Sequence, residues 1–125
     1  MKKIVIIAAF ALIATGCYND KADKLYPTGP AVVCDTASAI SYASDLTPIF
    51  ATNCSLSGCH DAATAGGGYD FSKIADIQRA VANNRLIGDI NWQSGYIAMP
   101  LGKPKLSDCE INKITRWALR GAKNN

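Results

Sequence analysis

The stretch Cys54-Ser-Leu-Ser-Gly-Cys59-His60 constrains this chain more than any other feature, because it gathers two of the five cysteines and the only histidine. Three chemistries use such a set. Two thiols can add across the vinyl groups of a haem while the adjacent imidazole reaches the iron from one face. The usual attachment spacing is C-x-x-C-H. Here four residues separate the cysteines, so the intervening loop must bulge. Zinc also takes Cys and His ligands. It would need a fourth ligand and usually a second paired knuckle, and no second C-x2-4-C or H-x3-5-H exists. A plain disulfide between Cys54 and Cys59 beside a surface histidine is the structural alternative. The Cys-His step, which sets a ligand beside an attachment point, favours haem.

Residues 1–16 read as an export signal. Lys2 and Lys3 are its charged start, and residues 4–14 are an apolar run of eleven. That run is too short to cross a bilayer, which takes about 20 residues. It ends Ala14-Thr15-Gly16-Cys17, small residues before a cysteine that resemble the bacterial lipoprotein lipobox, with Ala14 where Leu is usual. The alternative is an ordinary cleaved signal near a free cysteine. Lipidation at Cys17 is preferred, because an unpaired thiol in an oxidising compartment is a hazard. The resemblance implies a diacylglycerol thioether and an N-acyl group, and several acyl chains make a lasting anchor. No later segment approaches the length of a transmembrane helix.

Three of the five cysteines are then used, leaving Cys34 and Cys109. An exported chain permits a disulfide, and these two are expected to pair. Two buried free thiols are the alternative. The loop would span most of the domain, for which loop closure gives about 4 kcal/mol. The formal charge of +3 falls once Lys2 and Lys3 leave, since eleven basic residues then face ten acidic ones. A polyanion or nucleic-acid binder is therefore not indicated.

The chain divides into a signal (1–16), a lipidated tether (17–33) and one domain (34–125). Residues 18–32 are polar and then broken by Pro and Gly, which fits a tether. Asp45 can cap a short helix that runs into Cys54, with Pro48 tolerated in its first turn and Leu46, Ile49 and Phe50 on one face. Gly66 to Gly68 lack the Gly-Lys-Ser/Thr of a phosphate loop. They fit backbone that passes close to a flat cofactor. Asp70 can cap a helix over 71–82 with Ile74, Ile77 and Val81 inward. A short turn of helix fits 85–90, and 91–106 is irregular. Ser107 to Glu110 is a capping box. Ile111, Ile114, Trp117 and Ala118 then form one stripe, and Gly121 ends the helix. No segment alternates as a strand does, so the expected fold is all-α.

Over residues 42–123 the chain resembles the small single-haem class I cytochromes c, and most of all their envelope lipoproteins. The resemblance rests on Phe50 four residues before Cys54, the Cys54, Cys59 and His60 attachment site (its four-residue spacing a minority variant), Met99-Pro100 after a loop, and Leu106-Ser107 followed by Trp117, Gly121 and Ala122. It implies a helical domain wrapped around one covalent haem c, with Phe50 packing on Trp117 where the first and last helices cross. It implies His60 and Met99 as axial ligands. Met99 is the only methionine once Met1 leaves with the signal. A His/Met pair raises the reduction potential. The family often bonds the histidine's other N–H to a carbonyl beside a proline. None lies between Pro48 and Pro100, so a carbonyl of loop 61–72 is expected instead.

Tyr96, Trp92, Asn83 and Arg85 are candidates for bonds to the haem propionates or to the Met99 loop. Arg85 leads them, because a guanidinium suits a carboxylate. A solvated helix-end arginine is the equal alternative. Lys103 and Lys105 could steer an acidic redox partner or simply be solvated. The expected function is single-electron transfer among redox proteins of a bacterial cell envelope. The carrier would be a lipid-anchored monomer rather than an enzyme, on the outer membrane by the Tyr18 that follows Cys17. Alternatives are a haem-based gas binder, the subunit through which electrons enter a larger oxidoreductase, or a haem-free domain stapled by zinc or a disulfide.

Overall fold

The computed structural model describes residues 34–125. The expected signal, Cys17 and the tether lie outside the described residues. Among the described residues every regular element is helical. They are a π-helical turn Tyr42–Leu46, α1 Thr47–Asn53, a 3-10 turn Gly66–Gly68, α2 Ile74–Ala82, α3 Arg85–Asn91 and α4 Asp108–Leu119.

The first segment starts earlier than an Asp45 cap would have it. Ser41 is the N-cap: its Oγ accepts from Ser44 N at 3.3 Å, while Asp45 Oδ2 accepts from Ser41 N at 2.9 Å. This reciprocal pair satisfies donors that a helix start leaves unmatched. The wide turn then runs straight into α1, whose first turn holds Pro48, where no N–H is needed. Asp45 thus reaches back to the start of the segment instead of standing before Thr47.

Asp70 likewise does not cap a helix at 71. Its Oδ1 accepts from Ser72 N at 3.0 Å and Ser72 Oγ at 2.6 Å, and its Oδ2 pairs with Lys73 Nζ at 2.9 Å. That local turn delays α2 to Ile74. Ile77 and Ala80 are the residues α2 buries, whereas Ile74 and Val81 are only half-buried against the core. In α4 the capping box is complete, with Glu110 N donating to Ser107 Oγ and Ser107 N to Glu110 Oε2. Its C-terminus closes as a Schellman motif: Gly121 N donates to Ala118 O at 3.0 Å and Ala122 N to Trp117 O at 3.1 Å.

The π-helical turn packs on α1 and α4, α2 on α3, and α3 on α4. Leu46, Phe50, Ile77, Ile114 and Trp117 are the largest fully buried side chains. The direct ring pair expected of Phe50 and Trp117 is replaced by a relay through Tyr42. The Tyr42 ring stacks on Trp117 at 5.6 Å and lies tilted 6.5 Å from Phe50. Tyr42, in the first residues of the early-starting segment, is thus within ring contact of both. Lys113 Nζ meets Asp45 Oδ1 at 3.1 Å across the same contact. Cys34 and Cys109 are joined by a disulfide with Cα atoms 5.5 Å apart and a sequence separation of 75. It ties the start of the described chain to the first turn of α4.

Two outcomes follow. Reduction of Cys34–Cys109 should lower stability by up to about 4 kcal/mol in urea unfolding, because it frees a long loop in the unfolded chain. Acid should also destabilise the fold. The Asp45 carboxyl is held below the usual range by the Ser41 N–H and then by Lys113, and Asp70 by the Ser72 hydroxyl and then Lys73. A folded pKa below the unfolded one gives stability that is present above the unfolded value and lost as pH falls through the folded value. Urea midpoints should therefore fall as pH drops below about 4, and Asp70→Asn should make that slope shallower.

Candidate functional site

The motif closes on itself where α1 ends. Cys54 N and Ser55 N both donate to Phe50 O, at 2.9 and 2.8 Å. The next residues turn back, with Cys59 N on Leu56 O at 2.9 Å and His60 N on Cys54 O at 3.2 Å. Gly58, at φ +79°, takes the left-handed step that the longer spacing requires. The four intervening residues are thereby folded away, and His60 returns to the first cysteine. Cys54 and Cys59 are free thiols with no bond between them. Cys54 is buried while Cys59 is exposed. Burial, then the neighbouring Cys59 and Glu110, push the Cys54 thiol up to about 12.

His60 is held on three sides. Gly66 N donates to Cys59 O and Phe71 N to His60 O, both at 2.8 Å. The Phe71 ring stacks on the imidazole at 4.5 Å, 17° from parallel. His60 Nδ1 lies 3.2 Å from the Tyr69 carbonyl oxygen. A carbonyl only accepts, so Nδ1 is the donor of this pair. The acceptor belongs to loop 61–72, with no proline beside it.

The Tyr69 peptide is itself fixed from α2. Arg79 Nη2 donates to Gly68 O at 2.6 Å, and its guanidinium lies over the Tyr69 ring at 4.6 Å. Asp76 Oδ2 accepts from Asp70 N at 2.9 Å. Asn83 Nδ2 donates to Tyr69 Oη at 2.6 Å, so Asn83 is engaged here and not at the Met99 loop.

Cys54, Cys59, His60 and Met99 line one cavity of about 360 Å³. Phe71, Ala80, Leu86 and Ile90 give it a mainly apolar lining. Cofactor and ligand cavities run from roughly 300 to 1,000 Å³. Arg85 and Lys103 also border it, whereas Lys105 does not. The Arg85 guanidinium has no hydrogen bond or ion pair among the described residues, while its backbone N donates to Asn83 Oδ1 at 3.2 Å. Trp92 Nε1 donates to Met99 O at 2.8 Å, and Asn84 Nδ2 to Tyr96 Oη at 3.0 Å.

The donor set fits a haem attached at one end of the cavity's lining. Cys54 and Cys59 would hold its vinyl carbons, His60 Nε2 and the Met99 thioether its iron, and Arg85 a propionate. Phe71 and Asp89 also line the cavity and were not singled out in the sequence. The aromatic ring just past the motif was a usable signal for Phe71, but nothing marked Asp89.

No family model matches this chain, and no curated protein or solved structure is significantly similar to it.

Gly66 leaves no room for a single added carbon. A Cβ there would sit 2.7 Å from the Cys59 carbonyl oxygen, which is backbone and has little room to yield. Gly66→Ala should lower stability by about 1–3 kcal/mol in chemical denaturation, the range for forced overpacking.

Proposed function

We propose that this chain is a lipid-anchored, monohaem c-type cytochrome that carries single electrons and is not itself an enzyme. The observation that carries the reading is the convergence of Cys54, Cys59, His60 and Met99 on one apolar cavity, with His60 Nδ1 already bonded and Nε2 left over. The all-helical secondary structure is in keeping with a cytochrome c-like domain.

A bound haem would supply a ferric–ferrous couple. The chain's own residues set its surroundings. His60, oriented by Tyr69 O and Phe71, offers one imidazole nitrogen in a fixed tautomer. The Met99 thioether is a soft donor that favours the reduced state. Leu86 and Ile90, both buried, keep water from the cavity lining. The Arg85 guanidinium can neutralise a carboxylate without breaking an existing pair. His60 and Met99 together would leave no place for a substrate on a bound iron.

The proposed setting is a bacterial envelope, with Cys17 acylated, more readily in the outer membrane, and redox proteins as partners of a monomer. Lys103 at the cavity border suits an acidic partner.

Spectra of the exported protein, from a host that matures c-type haem, test the reading. The expected result is thioether-type haem, a sulfur–iron band in the oxidised form and no carbon monoxide binding when reduced. Met99→Ala should abolish that band, lower the potential and admit carbon monoxide. Cys54→Ala with Cys59→Ala should abolish covalent haem. Ready carbon monoxide binding by the natural chain would favour a gas binder, and absence of covalent haem would overturn the proposal.

A further inference from the structure

Loop 92–99 brings Met99 to the cavity, and it hangs from α3 by contacts that no core packing requires. Asp89 receives it twice. Its backbone O accepts from Met99 N at 3.1 Å, and its Oδ1 accepts from Ile97 N at 3.0 Å. Trp92 Nε1 closes the ring by donating to Met99 O at 2.8 Å. Both polar groups of the Met99 backbone are therefore engaged by residues at the end of α3.

Two further observations mark the arrangement as specified. Trp92 has φ +59° and ψ +41°, a left-handed conformation that a bulky side chain rarely adopts. The residue is 45% exposed. Its left-handed step closes the end of α3, with Trp92 N donating to Asp89 O at 3.2 Å and Gln93 N to Gly88 O at 3.1 Å, and in that conformation Nε1 bonds Met99 O. Gly88, one turn before Trp92, leaves room for the Tyr96 ring, which lies too close for any Cβ there. Asn84 Nδ2 bonds the same tyrosine's hydroxyl at 3.0 Å. Asn84 and Trp92 flank α3 at its two ends, with Gly88 midway between them.

We propose that Asp89 and Trp92 are positioning residues that clamp the Met99 loop to α3, hold the thioether at the cavity and so keep small ligands off the iron. This rests on the haem reading above. The clamp acts through the loop backbone: neither residue replaces Met99 as a ligand. Its release lets the loop lift, and the sixth position opens.

The test compares the exported, haem-loaded natural chain with Trp92→Phe, Asp89→Leu and Asp89→Asn. Phe keeps the ring and removes the donor. Leu removes the acceptor for Ile97 N, while Asn keeps an oxygen there. One net hydrogen bond corresponds to roughly a fivefold change in an opening equilibrium. Amide exchange at Ile97 and Met99 should speed up by about that factor in Trp92→Phe and Asp89→Leu. Exchange at Ile114, in the core, should stay unchanged, and Asp89→Asn should match the natural chain. Carbon monoxide binding to the reduced protein should rise in the same two variants. Unchanged exchange in both, or equal loss at Ile114, would overturn the clamp. If the natural chain binds carbon monoxide freely, ligation by Met99 fails, and exchange at Met99 still decides whether the clamp exists.

Discussion

One imidazole, with Nδ1 bonded and the residue set in the lining of an apolar cavity, is the constraint on which the site depends. A neutral histidine has one donor and one acceptor nitrogen, and its partner decides which is which. Tyr69 O settles that for His60. The carbonyl can do so only because Arg79 and Asp76 fix its peptide from α2, and because Gly66 lets the loop approach Cys59. The residues between the motif and α2, featureless in composition, thus become the support of the histidine.

The remaining architecture serves to keep that support rigid. α4 is capped at both ends, and its buried stripe forms the floor of the core. The disulfide and the Lys113–Asp45 pair fasten the amino-terminal side of the domain to it. A core this small is marginal by burial alone, so a covalent tie and completed caps matter more than they would in a larger domain. On the Met99 side the support is different in kind. It consists of hydrogen bonds at a helix end, exposed and individually modest, which suits a loop whose hold on a ligand can be adjusted by single residues.

Much of this was legible in the residues. The Cys54–Cys59–His60 step, the capping box at Ser107 and the stripe Ile111, Ile114, Trp117 are local patterns, fixed by spacing and by the needs of helix ends. The errors were also local. Ser41 competed with Asp45 as the cap and won because Asp45 could reach back to Ser41 N, and Tyr42 in the segment so begun meets both Phe50 and Trp117. Asp70 formed a turn with Ser72 and Lys73 in place of a cap. Asp89 gave no sequence signal, because a carboxylate in a short helix is ordinary until a distant loop returns to it.

The sequence by itself determined the chemistry available: two thiols beside the chain's one imidazole, and a thioether at Met99, placed on a helical chain. Scarcity did part of that work, since the chain has a single histidine. Only the tertiary structure decided which carbonyl orients His60, that Met99 reaches the same cavity, and that Asp89 and Trp92 hold it there. Those are contacts between a loop and a helix face. They depend on how the chain folds back over distance, which spacing does not encode.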